Sequence, residues 1–196
     1  MVRQSERREA TIGAILAAAR KLFATEGFDA VSIDGIAAKA GVAKGAVYHH
    51  FESKEEIFTR VLEAVQAEIA AQPAPPSLRK IGDPLDRMAA GILGYLNAAT
   101  EPGLKRILLI DGPAVIGWRK WREIDDRHFG AGARRAVAYV MGEGTAEAQL
   151  DAVTHAVMGM VMEAALVCAT APDARKAARE MTAGMRKLLE GIRRPS

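Results

Sequence analysis

The sequence predicts an all-α protein, a small N-terminal helix-turn-helix unit followed by a larger helical one, on three observations. Apolar residues recur at three- and four-residue spacing in the segments between proline and glycine breaks. None of those segments shows a convincing two-residue alternation of the kind a half-buried strand requires. Two short periodic segments also meet at Gly41-Val42, and two helices joined by three or four turn residues including a glycine describe a helix-turn-helix.

The first helix is expected over 5–26, where Ile12, Ile15, Leu16, Ala19, Leu22 and Phe23 form one stripe and Gly27 stands where a left-handed C-cap belongs. Ser32 is suited to cap a second helix through Ala40 that buries Ile33, Ile36 and Ala37. Gly41-Val42 turns the chain into a third helix from about Ala43 to Phe51. Ser53-Lys54-Glu55-Glu56 has the form of a capping box and opens a helix carrying Ile57, Val61, Leu62, Val65 and Ile69. "QPAPPSLRK" at 72–80 then breaks the chain, because three prolines in four residues cannot continue a helix. The expected division is a small helix-turn-helix unit at 1–52 and a larger helical unit at 53–196, with 53–71 as the connecting helix.

Beyond the break, Asp83-Pro84 reads as a cap and a first-turn proline heading a stripe of Leu85, Met88, Ile92 and Leu96. Further breaks are expected at Glu101-Pro102-Gly103, Asp111-Gly112-Pro113, Gly130-Ala131-Gly132, Gly142-Glu143-Gly144 and Pro172.

Composition narrows the class. With 196 residues, 49% hydrophobic and 26% charged, the chain has material for a buried core and a soluble surface. Cys168 is the single cysteine, so a disulfide framework is excluded. The start, "MVRQSERREATIG", lacks the apolar stretch of a signal peptide and no 18-residue uncharged apolar run occurs, so a cytoplasmic protein without a membrane partner is expected. The net charge of +3 is modest, and residues 1–51 hold seven Lys/Arg against five Asp/Glu. Placement of charge, not its amount, must therefore carry a nucleic-acid reading.

On the third helix Val47 and Phe51, four apart, share a buried face, which leaves Lys44, Tyr48 and His49 on faces open to DNA. Two of the flanking residues have plainer readings: Tyr48 as a half-buried core aromatic and His50 as packing for the fourth helix.

The stretch 15–58, "ILAAARKLFATEGFDAVSIDGIAAKAGVAKGAVYHHFESKEEIF", closely resembles the DNA-binding domain of the tetracycline-repressor (TetR) family, through "AA-x-x-LF", "G-F", "IA-x-x-AGV", "KG-x-x-Y-x-HF" and "SKEE-x-F" in order. The resemblance implies a homodimeric, all-helical regulator that binds a palindromic double-stranded operator. It also implies a C-terminal domain that binds a small effector. By position it places Lys44 at a base or phosphate, Tyr48 at the backbone or a thymine methyl, and His49 and His50 at the backbone. Lys54 and Ser32 fall at phosphate-gripping helix N-termini. Ala43 and Ala46 stand where many relatives carry hydroxyls, so with Gly45 they leave readout to Lys44, methyl contacts and DNA shape.

The segment 107–130, "ILLIDGPAVIGWRKWREIDDRHFG", resembles the effector domain of one branch of that family. Met88, Leu96, Trp118, Trp121, Met141 and Met162 are the expected lining of an apolar cavity. Helices at 146–170 and 173–192 are the expected dimer interface, through Val153, Val157, Gly159, Val161, Ala164, Met181, Met185 and Leu188.

Catalysis finds little support. Cys168 and His155 lie thirteen residues apart in one expected helix, about 20 Å along its axis, too far for a dyad. Asp125 and His128 have the spacing of two metal ligands but no companion pair, so no metal, catalytic residue or cofactor is expected. The expected function is a ligand-responsive repressor released from its operator by an apolar or amphipathic effector. The alternatives are an activator, a regulator indifferent to small molecules, and an enzyme or small-molecule carrier that kept the helical body.

Overall fold

The computed structural model describes residues 2–72 and 82–193, with side chains from residue 5 onward. The proline-rich break expected at 72–80 falls outside these residues except for Gln72. Among the described residues every regular element is helical. The order is α1 (Val2–Glu26), α2 (Ile33–Ala40), α3 (Lys44–His50), α4 (Lys54–Ala71), α5 (Pro84–Ala99) and α6 (Pro102–Lys105). A π-helical stretch (Arg106–Asp111) carries α6 directly into α7 (Gly112–Ile116). After Gly117 comes α8 (Trp118–Asp125), which a second π-helical stretch (Asp126–Gly130) joins to α9 (Ala131–Met141), followed by α10 (Glu147–Thr170) and α11 (Ala174–Glu190).

The chain forms two compact units. One takes the residues up to Gln66 together with Pro102–Trp121, and the other takes Ala67–Glu101 and the residues from Arg122 on. The boundary expected at 52/53 lies inside the first unit, which also draws in 102–121 from later in the chain.

In the first unit the head closes over Ile15, Phe23, Ile36, Val47, Phe58 and Leu62, all fully buried. Phe23, Phe28 and Phe58 meet with ring centroids 5.2–5.9 Å apart. The 102–111 segment packs on α1. Trp121 is fully buried and its indole N–H donates to the Leu108 carbonyl at 3.0 Å, while the exposed Trp118 stacks on it at 5.3 Å.

Two expected breaks, Asp111-Gly112-Pro113 and Gly130-Ala131-Gly132, are not breaks, because the helix runs through both. In each case a π-helical turn absorbs the irregularity. Pro113 has no N–H to give and its ring needs space over the carbonyl four residues back, which the wider turn provides. Gly112 is required by close approach, since a Cβ there would sit 2.8 Å from the Ile107 oxygen and 3.0 Å from the Trp121 ring. The chain is interrupted instead at Gly117, with φ +79°.

In the second unit α5, α9, α10 and α11 pack on one another around Leu85, Leu96, Val137, Leu150, Ala164 and Leu189. Asp83 caps α5 by accepting from the Leu85 N–H at 2.7 Å, with Pro84 in the first turn, and Asp173 caps α11 through the Lys176 N–H at 2.9 Å. Arg186 to Asp86 at 2.6 Å and Arg193 to Asp83 at 2.7 Å tie α5 to the end of the chain.

Candidate functional site

The turn between α2 and α3 is set by hydrogen bonds that the sequence makes locally available. Ser32 Oγ accepts from the Gly35 N–H at 3.0 Å and opens α2. At its other end Gly41 takes a left-handed backbone, φ +69°, and Val42 N–H reaches back to the Ala37 carbonyl at 3.1 Å. Ala43 then starts α3 without a side-chain cap, so no side chain of its own competes with a ligand for the first-turn N–H groups. Val47 and Phe51 are buried and fix the rotation of α3. Downstream, Ser53 Oγ accepts from Glu56 N–H at 3.1 Å, the forward half of the capping box expected for α4, while the Glu56 carboxylate reaches one residue further back and accepts from Glu52 N–H at 2.7 Å.

This rotation exposes Lys44, Gly45, Tyr48 and His49 and leaves Ala46 and His50 half-buried, while Ser32 and Ala43, ahead of α2 and α3, are also exposed. Tyr48 is 54% exposed, against the core reading. His50 Nδ1 is buried without a hydrogen-bond partner among the described residues, and its ring meets His49 edge-on at 4.9 Å. Lys44 Nζ lies 2.9 and 3.0 Å from the two oxygens of Asp34, which raises the lysine's pKa by hydrogen bonding and charge. Lys54 differs from its expected phosphate-facing pose. Its ammonium donates to the Phe28 and Val31 carbonyls at 2.7 and 2.8 Å and sits 4.2 Å over the Phe28 ring, so its charge is already engaged within the head.

The second unit contains a cavity of about 890 Å³. Its apolar lining includes Met88, Ile92, Tyr95, Phe129, Met158 and Met162, and its polar lining includes Arg87, Asp125, His128 and Arg135. Of the six residues expected there, Met88 and Met162 line it. Leu96 and Met141 are buried in the core off the cavity, and Trp118 and Trp121 belong to the first unit, one exposed and the other bound to Leu108. The stripe Leu85, Met88, Ile92, Leu96 is continuous in sequence, but only its middle faces open space.

Burial pushes the Asp125 carboxyl up to about 6, against the opposing pull of Arg122, whose Nη1 lies 3.8 Å away. Burial also pushes the Tyr95 phenol well above its ordinary value, with Asp125 adding to the effect. Tyr95 meets Phe129 edge-to-face at 5.2 Å. Sequence reasoning noted Asp125 and His128 only as an incomplete metal pair and passed over Tyr95 and Phe129.

Of the residues expected at a dimer interface, Gly159 and Leu188 are exposed and Val153, Val161 and Met181 are half-buried. Val157, Ala164 and Met185 are buried within the unit, and Val157 and Val161 also line the cavity. Cys168 is fully buried, and burial raises its thiol pKa, so thiolate chemistry is disfavoured.

A capped helix-turn-helix that exposes a lysine, a tyrosine and a histidine from its second helix, on a chain whose other unit is a helical bundle around a cavity, defines a DNA-binding transcription regulator. Residues 15–61 match the family described as bacterial regulatory proteins, tetR family, and residues 85–192 match the tetracyclin repressor-like C-terminal domain. The chain belongs to the TetR family of helix-turn-helix regulators. It is 30% identical over 95 residues to the regulator AcrR of Shigella flexneri, covering 48% of this chain and 44% of AcrR. It is 45% identical over 56 residues to the transposon Tn10 TetC protein of Escherichia coli, covering 29% and 28% of the two chains. These matches span less than half the length of either curated relative. A TetR-family regulator from Pectobacterium atrosepticum, known by crystal structure, superposes with a TM-score of 0.76 at 29% identity over 97% of this chain and 98% of its own.

Proposed function

We propose that the protein is a cytoplasmic repressor that binds a palindromic operator as a homodimer and is released by a small apolar or amphipathic effector held in the cavity of the second unit. The observation that carries the reading is a cavity of about 890 Å³ in a unit separate from the exposed α3 face, which gives one chain two distinct binding surfaces. In this reading residues 1–52 bind DNA. Lys44 touches a base or phosphate, Tyr48 and His49 the backbone, and the Ser32 end of α2 a phosphate. The DNA-incompetent state must be the one the effector prefers, and moving the population from 1:99 to 99:1 takes about 5.5 kcal/mol of preference.

Dimerisation is assigned to α10 and α11. The exposure of Leu166, Val167 and Leu188 supports this, as does the composition of α10, which is long and apolar enough by those criteria alone to cross a membrane yet only 39% buried over its most apolar window.

The test is selection of bound sequences from a random DNA pool, followed by release with cell-extract fractions and a reporter driven through the selected site. The expected result is an inverted repeat with half-sites about 34–36 Å apart, or a multiple of that, and a reporter silenced until effector is added. Enrichment of no repeat, or a reporter switched on by the bound protein, would overturn the dimeric-repressor reading.

A further inference from the structure

We propose that the cavity of the second unit selects a neutral aromatic molecule bearing a free hydroxyl, which hydrogen-bonds to Asp125 and His128; this rests on reading that cavity as the effector site. Three features of the wall favour this class over an organic anion or cation.

The first is charge. Asp125 is 6% exposed and paired with Arg122, and Arg122 in turn reaches Asp126 at 3.6 Å and the His155 carbonyl at 3.4 Å. Arg122 Nη1 makes no hydrogen bond among the described residues, but Arg122 stands behind Asp125 and does not line the cavity, so the one buried charge that faces the cavity is already matched. A carboxylate placed here would meet Asp125 as a like charge, and an ammonium would compete with Arg122 for the same oxygens, each while losing its own hydration. Arg87 and Arg135, which also line the cavity, are exposed, and the Arg87 guanidinium stands 5.9 Å from the Tyr139 ring centre. They are solvated cations and not part of the buried wall.

The second feature is unmet hydrogen bonding. His128 Nε2 is buried with no hydrogen-bond partner among the described residues. Asp125 and His128 stand three residues apart where α8 passes into its π-helical stretch, and both line the cavity. What the wall lacks is a hydrogen bond and not a charge. A hydroxyl is the smallest group that donates its one proton to the Asp125 carboxylate while accepting, through its oxygen, from the His128 Nε2–H.

The third is shape. Tyr95 and Phe129 present an edge-to-face pair to the cavity, and Met158 and Met162 add adaptable thioether surface. Gly91 and Gly132 line the space, and a Cβ on either would meet nothing within 4 Å, so a flat ring has room against the backbone.

The experiment is calorimetric titration of the whole protein with four probes of matched size: 4-ethylphenol, 4-ethylanisole, 4-ethylbenzoate and protonated 4-ethylbenzylamine. 4-Ethylphenol is expected to bind about tenfold tighter than each of the others, and His128→Phe, which keeps the ring, is expected to reduce that margin to about twofold. Asp125→Asn should narrow it too, since the carboxylate's charge is lost, with thermal unfolding measured on both variants to show that they fold. Equal binding of 4-ethylanisole, tighter binding of the benzoate or the ammonium, or no binding of any probe up to about 1 mM would overturn the inference. Operator release is followed in parallel. Release by a charged probe would overturn the hydroxyl class and leave the effector reading standing. Binding of 4-ethylphenol through His128 without release would support the class and remove the effector role.

Discussion

The backbone N–H of Phe28 donates to a carboxylate oxygen of Asp111 at 2.9 Å, across 83 residues of chain. Arg106, from the same 102–116 segment, lies 3.6 Å from that carboxylate and 3.5 Å from the Thr25 carbonyl, and it fills the space that a side chain on Gly27 would need. The turn that aims α2 is therefore held from outside the head's own sequence. Asp111→Ala leaves a partly buried N–H without its acceptor and should cost about 1–3 kcal/mol in urea unfolding. Arg106→Ala should be strongly non-additive with it in a double-mutant cycle. Additive effects would show that the two side chains hold the turn independently.

Lys44 and Lys54 are expected to part company. Asp34→Asn frees the Lys44 ammonium, so affinity for random DNA should rise and its salt dependence should steepen by roughly one unit of slope per head. Lys44→Ala should weaken specific binding and relax preference at one position in each half-site. Lys54→Ala should leave the salt slope alone and lower stability by about 1.5–3 kcal/mol, since it removes two charge-assisted bonds to carbonyls. Fluorescence anisotropy over a salt series checks all three variants. A flattened slope for Lys54→Ala would return that residue to the phosphates.

The head was legible because its devices are local. Ser32 with Gly35, Gly41 with Ala37, and Ser53 with Glu56 are three or four residues apart, and Val47 with Phe51 defines a buried face by spacing alone. Lys54 with Phe28 and Phe28 with Asp111 are 26 and 83 residues apart, and no local pattern announces them. The cavity was half legible for a related reason. Periodicity marks Met88 and Leu96 alike as inward, but whether inward means core or cavity depends on what the neighbouring helices leave unfilled. Gly112-Pro113 looked like a stop because a proline ends an α-helix, and the wider π turn that tolerates it has no sequence signature of its own.

Asp125 gives stability a pH dependence opposite to that of most carboxylates. Its pKa is about 6 in the folded chain against 3.8 ordinarily, so between pH 4 and 6 the folded state holds the extra proton. Stability from this group is full below about pH 4 and is lost as pH rises through 6. Asp83, whose pKa is lowered by Arg193, works in the other sense and is common to both proteins being compared. Asp125→Asn should therefore gain on the order of 2 kcal/mol over the parent at pH 7 and little or nothing at pH 4. Urea unfolding at both values decides it. A constant difference between the two proteins would mean that Arg122 holds Asp125 ionised throughout.

Gly159 offers a test of assembly that separates the interface from the fold. It is exposed on α10, and a Cβ added there meets nothing within 4 Å, as is also true of Gly184 on α11. Gly159→Glu therefore fits the isolated subunit without a clash, and replacing a mid-helix glycine should stabilise that subunit by a few tenths to about 1 kcal/mol. If the face of α10 and α11 that carries Leu166, Val167 and Leu188 is covered by a second copy, the same carboxylate is buried without a partner and costs roughly 3–5 kcal/mol per copy. The expected variant is a well-folded monomer. Sedimentation equilibrium should show half the parent's mass, with thermal stability at infinite dilution equal or higher, and operator affinity should fall towards that of a single half-site because the two heads are no longer linked. A dimer that survives the substitution places the two-fold axis on another face. A variant that fails to fold would mean that Gly159 is packed more tightly than the open space around its Cβ position implies, and Gly184→Glu then carries the test on the neighbouring helix.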